Sequence, residues 1–233
     1  MNVSRLNRST MFILLLLLFF SGCQSAPPPS SEGTQHNGVT EQSLFDGQTL
    51  NGWEITPWTY RGPVEVQDST IRLGQGHECT GVTWTQNFPK TNYRVDLDAM
   101  RVEGNDFFCG MTFPVGDEFC TLVIGGWGGT LVGLSSIDGL DASENQTGTL
   151  RNYHDNRWYH VRLQVTPDSI NAWVGNDQIV EFAIENHRLS LRMEVLWSRP
   201  FGICSWRTKA ALKNIVVRYP LKQESGVPEF IEQ

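Results

Sequence analysis

Two acidic side chains lie two positions apart in a stretch where polar and apolar residues alternate. From Tyr93 to Ala99 every second residue is apolar, and Asp96 and Asp98 fall on the opposite side of the same predicted strand. The pleat of a strand places two such carboxylates on one face, about 7 Å apart. A pair at that spacing can exchange protons with a substrate or hold a hard cation. We therefore predict catalytic roles for both residues, with an exposed polar sheet face as the alternative.

A second polar pair, Asn105 and Asp106, follows Gly104 at a predicted junction between strands. An amide and a carboxylate at this place can bind a substrate or transfer protons to it. Asn and Asp also favour turns, because their side chains hydrogen-bond to the nearby backbone. We predict that both residues contribute to catalysis and keep turn formation as the alternative.

A predicted loop brings three carboxylates close together in the sequence, at Asp138, Asp141 and Glu144. Oxygen ligands at such short intervals suit Ca²⁺ or another divalent cation, although the spacing is not that of an EF-hand. The sequence therefore predicts a cation site here, with a solvated acidic loop as the alternative.

Trp127 lies among four glycines, so few side chains surround its ring. An exposed indole offers a flat apolar surface against which a sugar ring can stack. Trp206 and Arg207 are further ligand-binding candidates, the first for stacking and the second for hydrogen bonds to hydroxyl groups. Packing in a core is the alternative for either tryptophan.

The elements that must position these residues are short strands. Trp158–Val165 alternates like Tyr93–Ala99, and two tight turns then lead into Ser169–Val174 and Gln178–Phe182. Glycines punctuate the middle of the chain, and no stretch of ten residues shows a convincing helical period. Ten or more short antiparallel strands predict an all-β sandwich or jelly roll.

The first residues resemble an export signal. Arg5 and Arg8 precede the apolar run Met11–Phe20, which is too short to span a bilayer, and small residues then lead to Cys23. This pattern predicts a bacterial lipoprotein with Cys23 lipidated and the protein held at the cell envelope, on a periplasmic or outer-membrane face; an ordinary secretory signal is the alternative. The predicted divisions are residues 1–22 for the signal peptide, 23–43 for a flexible linker, 44–219 for the β-sandwich domain and 220–233 for a polar tail.

Charge and cysteine content limit the partners. The formal net charge of the 233 residues is −7 and no basic stripe is visible, so nucleic acid is not expected as a partner. Cys79, Cys109, Cys120 and Cys204 allow three disulfide pairings in an exported protein, and free buried thiols are the alternative. Cys109 and Cys120 flank a turn and are candidates to face each other across a hairpin. The sequence does not indicate the oligomeric state.

Both ends of the predicted domain resemble a known family. The letters LFDGQTLNGW at Leu44–Trp53 are similar to the opening motif of the 3-keto-disaccharide hydrolase domain family. The strand within Ala210–Arg218 resembles its terminal strand, and Trp158–Val174 with the following Gly-Asn-Asp turn resembles its meander. The centre of the chain, at residues 104–113, departs from the Asn-Ser-Gly-Ile strand that is common in the family.

The resemblance implies a concanavalin A-like jelly-roll sandwich of two antiparallel sheets and a carbohydrate ligand. For some members it implies hydrolysis of 3-keto-glycosides, in which a base removes the acidified C2 proton, the C1 substituent leaves and water adds back. The spacing of Asp96 and Asp98 differs from the Glu-x-Asp-x-Glu strand of concanavalin A-like retaining glycosidases.

Two functions are therefore predicted as alternatives, a hydrolase of 3-keto-glycosides or related glycosides and a non-catalytic glycan-binding module of lectin or laminin-G type. Grouping of Asp96, Asp98, Asn105 and a histidine around one cavity favours the enzyme. A shallow groove lined by Trp127 and Trp206, with the acids scattered, favours the binding module. A flat polar face with neither feature favours a protein partner.

Overall fold

The computed structural model describes residues 33–36 and 38–221. The predicted signal peptide, the predicted lipidation site Cys23 and nearly all of the predicted tail lie outside these residues. Within them, no helix is long and apolar enough to cross a membrane. The prediction of an all-β domain is confirmed.

The strands are β1 Thr34–His36, β2 Val39–Ser43, β3 Trp53–Ile55, β4 Val64–Gln67, β5 Thr70–Leu73, β6 Cys79–Trp84, β7 Tyr93–Glu103, β8 Cys109–Val115, β9 Glu118–Gly126, β10 Leu131–Ser135, β11 Thr149–Leu150, β12 Trp158–Val165, β13 Ser169–Val174, β14 Asp177–Ala183, β15 Phe201–Trp206 and β16 Lys209–Tyr219.

The described strands form two antiparallel sheets, as predicted. The nine-stranded sheet has the order β1-β2-β16-β7-β12-β13-β14, and β5 also pairs with β16 and carries β4 at its side. The seven-stranded sheet has the order β11-β10-β9-β8-β15-β6-β3. A short 3₁₀ helix, Met193–Ser198, precedes β15.

The main core lies between the two sheets because alternate residues of each strand turn inward. In β7 the apolar set predicted from the sequence is buried, including Tyr93, Val95 and Leu97. The Tyr93 hydroxyl donates a hydrogen bond to the carbonyl oxygen of Pro114 in β8, at 2.6 Å, which joins the two sheets through the core. Burial raises the pKa of Tyr93 well above its usual value, so this donor stays protonated.

The opening motif has a structural explanation. Leu44 and Phe45 are buried in the core, and the carbonyl of Leu44 accepts a 2.6 Å hydrogen bond from the Trp53 indole N–H. The carboxylate of Asp46 accepts bonds from the backbone N–H groups of residues 48 and 49, both at 2.7 Å, and from the Thr49 hydroxyl at 2.6 Å. These bonds hold the turn and lower the pKa of Asp46. The motif therefore anchors the chain at the start of the sandwich.

Regular structure begins before residue 44, within the range predicted as a flexible linker. β1 pairs with β2, and β2 pairs with β16, with Ser43 opposite Val216. Strand pairing uses backbone groups, so the polar side chains of Val39–Ser43 gave no sign of it. The predicted terminal strand is also longer, since β16 begins at Lys209.

The four domain cysteines are all free and buried. The β8–β9 hairpin forms as the turn signal indicated, but Cys109 lies opposite Ile124 and Cys120 lies opposite Phe113. The two thiols therefore do not face each other across the ladder. Burial raises the pKa of Cys109 above the usual value and that of Cys120 to about 12, so both are protonated at neutral pH.

Replacing Gly52 by alanine should destabilise the domain more than the same change at Gly116. Both glycines have positive φ, 80° and 62°, which strains alanine by about 1–2 kcal/mol. A Cβ at Gly52 would also lie 2.5 Å from ring carbons of Trp84, whereas nothing lies within 4 Å at Gly116. We expect an additional loss of about 1–3 kcal/mol for G52A, from overpacking. Urea unfolding of both variants measures this, and equal losses would contradict the role given to the Trp84 contact.

Candidate functional site

The outer face of the seven-stranded sheet carries a second layer of structure. Alternation in β9 sends Leu122 into the main core and leaves Thr121 and Val123 on the outer face. Val123 belongs to a smaller apolar cluster with Cys79, Phe107, Val195 and Cys204. The loop before β8 supplies Phe107, and the 3₁₀ helix supplies Val195. Two segments distant in sequence thus pack on one sheet face.

A cavity of about 240 Å³ opens between this second layer and the turn after β9. The volume is below the range of about 300–1,000 Å³ that is usual for drug-sized ligands, and it suits a single small ring. Its lining includes Asp106, Thr121, Trp127, Ser135, Glu194 and Trp206. Three of the six, Asp106 and the two tryptophans, were predicted from the sequence as site residues.

Asp106 is held by backbone and side-chain contacts. Its own N–H donates to the Thr208 hydroxyl at 3.1 Å, and the N–H of Phe107 donates to its Oδ1 at 2.7 Å. Partial burial raises the pKa of Asp106, against the opposing effects of nearby backbone N–H groups and of Arg207. Asp106 is therefore a carboxyl group that retains its proton to higher pH than an exposed aspartate.

Glu194 is a second carboxyl group in the cavity, carried by the 3₁₀ helix. Arg192 donates two hydrogen bonds to it, from Nη2 to Oε1 at 3.0 Å and from Nε to Oε2 at 3.4 Å. The Nη1 of Arg192 donates to Asp141 at 2.7 Å. The hydrogen bond from Arg192 lowers the pKa of Glu194, although burial opposes it. The environments thus push the pKa values of Asp106 and Glu194 in opposite directions, a pattern found where one carboxyl acts as acid and another as base.

Glu194 and Arg192 were not among the predicted site residues. Glu194 lies in a short 3₁₀ helix without hydrophobic periodicity and Arg192 immediately precedes that helix, and only the fold brings them beside Asp106. The one local signal is the Arg-x-Glu spacing at 192–194, which allows the guanidinium to hold the carboxylate.

Two tryptophans stand at the cavity. Trp127 has a left-handed φ of 44° and an exposed fraction of 42%, as expected from its four flanking glycines. The guanidinium of Arg192 lies 5.8 Å from its ring centroid. Trp206 is half-buried, with its ring 6.2 Å from that of Phe107. The cavity therefore has aromatic surfaces that a sugar ring can contact.

Ser135 supplies a hydroxyl group with no partner among the described residues. It lies at the end of β10, lines the cavity and is only 2% exposed. A buried hydroxyl without a hydrogen bond is unfavourable and calls for a bonding partner. A ligand in the cavity can provide one.

Asp96 lies on the other side of the sandwich, on the outer face of the nine-stranded sheet. Its carboxylate binds three arginines: Arg218 of β16 at 2.7 Å, Arg94 of its own strand β7 at 2.8 Å and Arg162 of β12 at 3.4 Å. The strand alternation correctly predicted an outward carboxylate. The core separates it from the cavity that contains Asp106, and its ion pairs with three strands correspond to the polar-face alternative.

Asp98 shares that face and does not lie with Asp106. Its oxygens bind His160 Nδ1 at 2.9 Å and the Asn214 amide at 2.7 Å. His160 Nε2 lies 3.4 Å from Asp96, so a histidine does join the two aspartates. This group is a cross-strand network of the nine-stranded sheet, and the predicted grouping with Asn105 does not occur.

The remaining predicted residues are distributed as follows. Asn105 is exposed, one position before Asp106. Arg207 lines a groove next to the cavity. Asp138 and Asp141 use their oxygens locally, with His187 Nδ1 2.7 Å from Asp138 and the Ser143 N–H 2.8 Å from Asp141.

The acidic loop does not form the predicted cation site. In residues 33–36 and 38–221 no three His, Cys, Asp or Glu side chains group as metal ligands. Asp138 and Asp141 instead take part in the hydrogen bonds and ion pairs described above, and Glu144 does not join them in a ligand set.

Comparison with solved structures finds the same fold in proteins of low sequence identity. A protein of unknown function with a galectin-like fold from Bacillus subtilis is 10% identical, with a TM-score of 0.55, over 76% of this chain and 93% of that chain. A Bacillus licheniformis beta-glucanase is 12% identical, with a TM-score of 0.52, over 81% and 100%. The Crh5 transglycosylase in complex with NAG is 12% identical, with a TM-score of 0.53, over 84% and 88%. The predicted jelly-roll sandwich is thereby confirmed.

Comparison at the level of sequence identifies the family. A search of curated proteins found no significant match. The model of the 3-keto-alpha-glucoside-1,2-lyase-like domain matches residues 40–218, which include every strand from β3 to β15 and the site built on them. The chain belongs to the 3-keto-alpha-glucoside-1,2-lyase-like domain family.

Proposed function

We propose that this protein cleaves 3-keto-glycosides in the cavity that contains Asp106 and Glu194. The observation that carries the proposal is the presence in one cavity of two carboxyl groups with oppositely shifted pKa values. Elimination next to a ketone needs one ionised base and one protonated acid, and these environments favour that division.

In the proposed reaction the ionised Glu194 takes the proton from C2 of the sugar, which the neighbouring C3 ketone makes acidic. The electron pair of the C2–H bond forms a C2–C3 double bond, and the negative charge moves to the oxygen at C3 to give an enolate. The enolate then re-forms the ketone and expels the C1 substituent, while Asp106 gives its proton to the departing oxygen. Water then adds across the C1–C2 double bond: its oxygen bonds to C1 while Asp106 takes the proton it releases, and Glu194 returns its proton to C2. This yields the free 3-keto sugar and restores both carboxyl groups.

Other groups in the cavity support this chemistry. The unpartnered Ser135 hydroxyl is a donor for the enolate oxygen, and the positive charge of Arg192 lies in the same lining. Trp127 offers a surface for the sugar ring. The fold and the family support a carbohydrate substrate, while the roles of the individual residues rest on this geometry.

Changing the leaving group of the glycoside should distinguish the base role of Glu194 from the acid role of Asp106. We expect E194Q to lower kcat by about 10²–10⁴-fold for both 4-nitrophenyl and methyl 3-keto-glucosides, because proton removal at C2 precedes either departure. We expect D106N to impair the methyl glycoside by a similar factor and the 4-nitrophenyl compound much less, because nitrophenolate leaves without a proton. Release of the 3-keto sugar is followed by chromatography.

D96N serves as the control because Asp96 lies on the opposite sheet, and its turnover should match that of the unaltered protein once folding is verified. If D96N lost as much turnover as D106N, the active site would have to be assigned to the nine-stranded sheet instead. Equal losses of both glycosides in D106N would contradict the acid role of Asp106.

The pH dependence should show which group is the acid. Asp106 acts protonated, so activity on the methyl glycoside should fall as pH rises through its raised pKa. Glu194 acts ionised, so activity should fall on the acid side only as pH drops through its lowered pKa. Profiles of kcat/KM against pH measure both limbs, and the basic limb should be absent in D106N. Persistence of that limb in D106N would assign it to another group.

A non-catalytic glycan-binding module is the second candidate, favoured by the exposure of Trp127 and by the aromatic lining at Trp206. Binding without turnover in the unaltered protein, detected as a glycan-dependent change in tryptophan fluorescence that is lost in W127A, would support it. Turnover of a 3-keto-glycoside would exclude it as the whole function.

We also propose that the protein is anchored in the bacterial envelope through a lipid on Cys23, on the basis of the sequence at residues 5–23. In bacterial cells, metabolic labelling with an alkyne fatty acid should mark the protein and place it in the membrane fraction. C23S should lose the label and the membrane association. Equal labelling of C23S would show that Cys23 is not the lipidated residue.

A further inference from the structure

A polar groove lies next to the cavity on the same end of the domain. Tyr60, Arg61, Gln75, His77 and Arg207 line it, and its volume is about 600 Å³. Three loops are tied together there. The N–H of His77 donates to the Tyr60 carbonyl at 3.0 Å, and Nε of Arg207 donates to the His77 carbonyl at 2.6 Å. The groove is therefore built by connected backbone segments.

The groove contains two guanidinium groups without a carboxylate partner in the described part of the chain. Arg61 donates to the carbonyl of Gly62 at 3.3 Å, and Arg207 donates to that of His77. No acidic side chain belongs to the groove lining. Most other described arginines form ion pairs with carboxylates: Arg72, Arg94, Arg101, Arg151, Arg162, Arg192 and Arg218.

The chain has a net charge of −7. Acids are abundant, yet these two arginines face none across the groove. A guanidinium presents several N–H donors in a planar fork that matches a carboxylate, sulfate or phosphate group. The exposed Tyr60 hydroxyl and the His77 ring, 6.1 Å from the Tyr60 ring, add further polar contacts.

The groove and the cavity share one wall. Trp206 lines the cavity and Arg207, the next residue, lines the groove. The Arg207 guanidinium carbon lies 5.6 Å from the centre of the Trp206 ring. The positive charge of Arg207 also acts on Asp106, where it partly opposes the rise in pKa that burial causes. A ligand whose reacting ring occupies the cavity can reach the groove by extending past one indole ring.

We propose that this groove binds an anionic substituent of the glycoside, so that the substrate of the cavity is an acidic glycoside. The proposal rests on the proposed function and narrows its substrate class. A carboxylate, a sulfate ester and a phosphate ester share the required chemistry, with the negative group on the aglycone or on the adjoining sugar.

Matched aglycones test the selectivity with the full-length protein. The 3-keto-glucosides of 4-carboxyphenol and of 4-carbamoylphenol have similar size and differ in charge. We expect kcat/KM to favour the acid by about tenfold, the effect of a single charge-assisted hydrogen bond. In R61Q and in R207Q the acid-to-amide ratio should fall towards one. An acid-to-amide ratio near one in the unaltered protein, or an unchanged ratio in R61Q, would overturn the proposal.

R188Q is the charge-matched control, because Arg188 is exposed and lies outside both linings. It should keep the ratio of the unaltered protein. Thermal unfolding of each variant checks the fold; if R207Q unfolds because its bond to the His77 carbonyl is lost, R61Q alone decides the outcome. Aglycones that carry a sulfate or a phosphate in place of the carboxylate identify the preferred anion.

Binding separates this proposal from the proposed function. If the protein turns over neither 3-keto compound, calorimetry with the unoxidised 4-carboxyphenyl and 4-carbamoylphenyl glucosides tests the groove alone. Tighter binding of the acid that is lost in R61Q and weakened by salt would retain the anionic subsite without the enzyme. Equal affinity for acid and amide would reject the subsite whatever the activity.

Discussion

The candidate site depends on one constraint: the loop before β8 and the 3₁₀ helix must pack very close to the outer face of the seven-stranded sheet. A Cβ atom at Gly110 would lie 2.9 Å from a ring carbon of Phe107, and one at Gly202 would lie 2.8 Å from the Cβ of Ser198. Both distances are well inside the optimal separation of two carbon atoms. Glycine at these two positions lets the loop before β8 and the 3₁₀ helix pack directly on the sheet. The same packing brings Asp106 and Glu194 to one cavity.

That second layer also sets the electrostatics. The cluster around Phe107 partly removes Asp106 from water, and burial favours its neutral form. Glu194 is also partly buried, but Arg192 compensates it with two hydrogen bonds. One apolar layer therefore gives two carboxyl groups with different pKa shifts, because only Glu194 is hydrogen-bonded to a guanidinium group.

The sequence predicted what local periodicity encodes. Alternation identified β7 and β12 and the inward set of each, since one sheet face must be apolar. Trp127 was predicted from its glycine neighbours, and Asp106 from its place at a strand junction. β2 was not predicted, because it is stabilised by backbone pairing with β16 and most of its side chains are polar.

For Asp96 and Asp98, the local sequence predicts the direction of the side chains but not their partners. Their outward direction follows from the pleat, but the arginines that bind Asp96 come from β7, β12 and β16, and only the sheet order brings these strands together. Glu194 is the converse case, since its role depends on a segment that packs near Asp106 although it is distant in sequence. Two carboxylates on one strand can be recognised from their spacing in the sequence, but both lie on the same sheet surface and so share one environment. Elimination needs two carboxyl groups in opposite protonation states, and residues from different elements can have environments different enough to provide them. For this reason the pair that the sequence displays most clearly is a weaker catalytic candidate than the pair that the fold assembles.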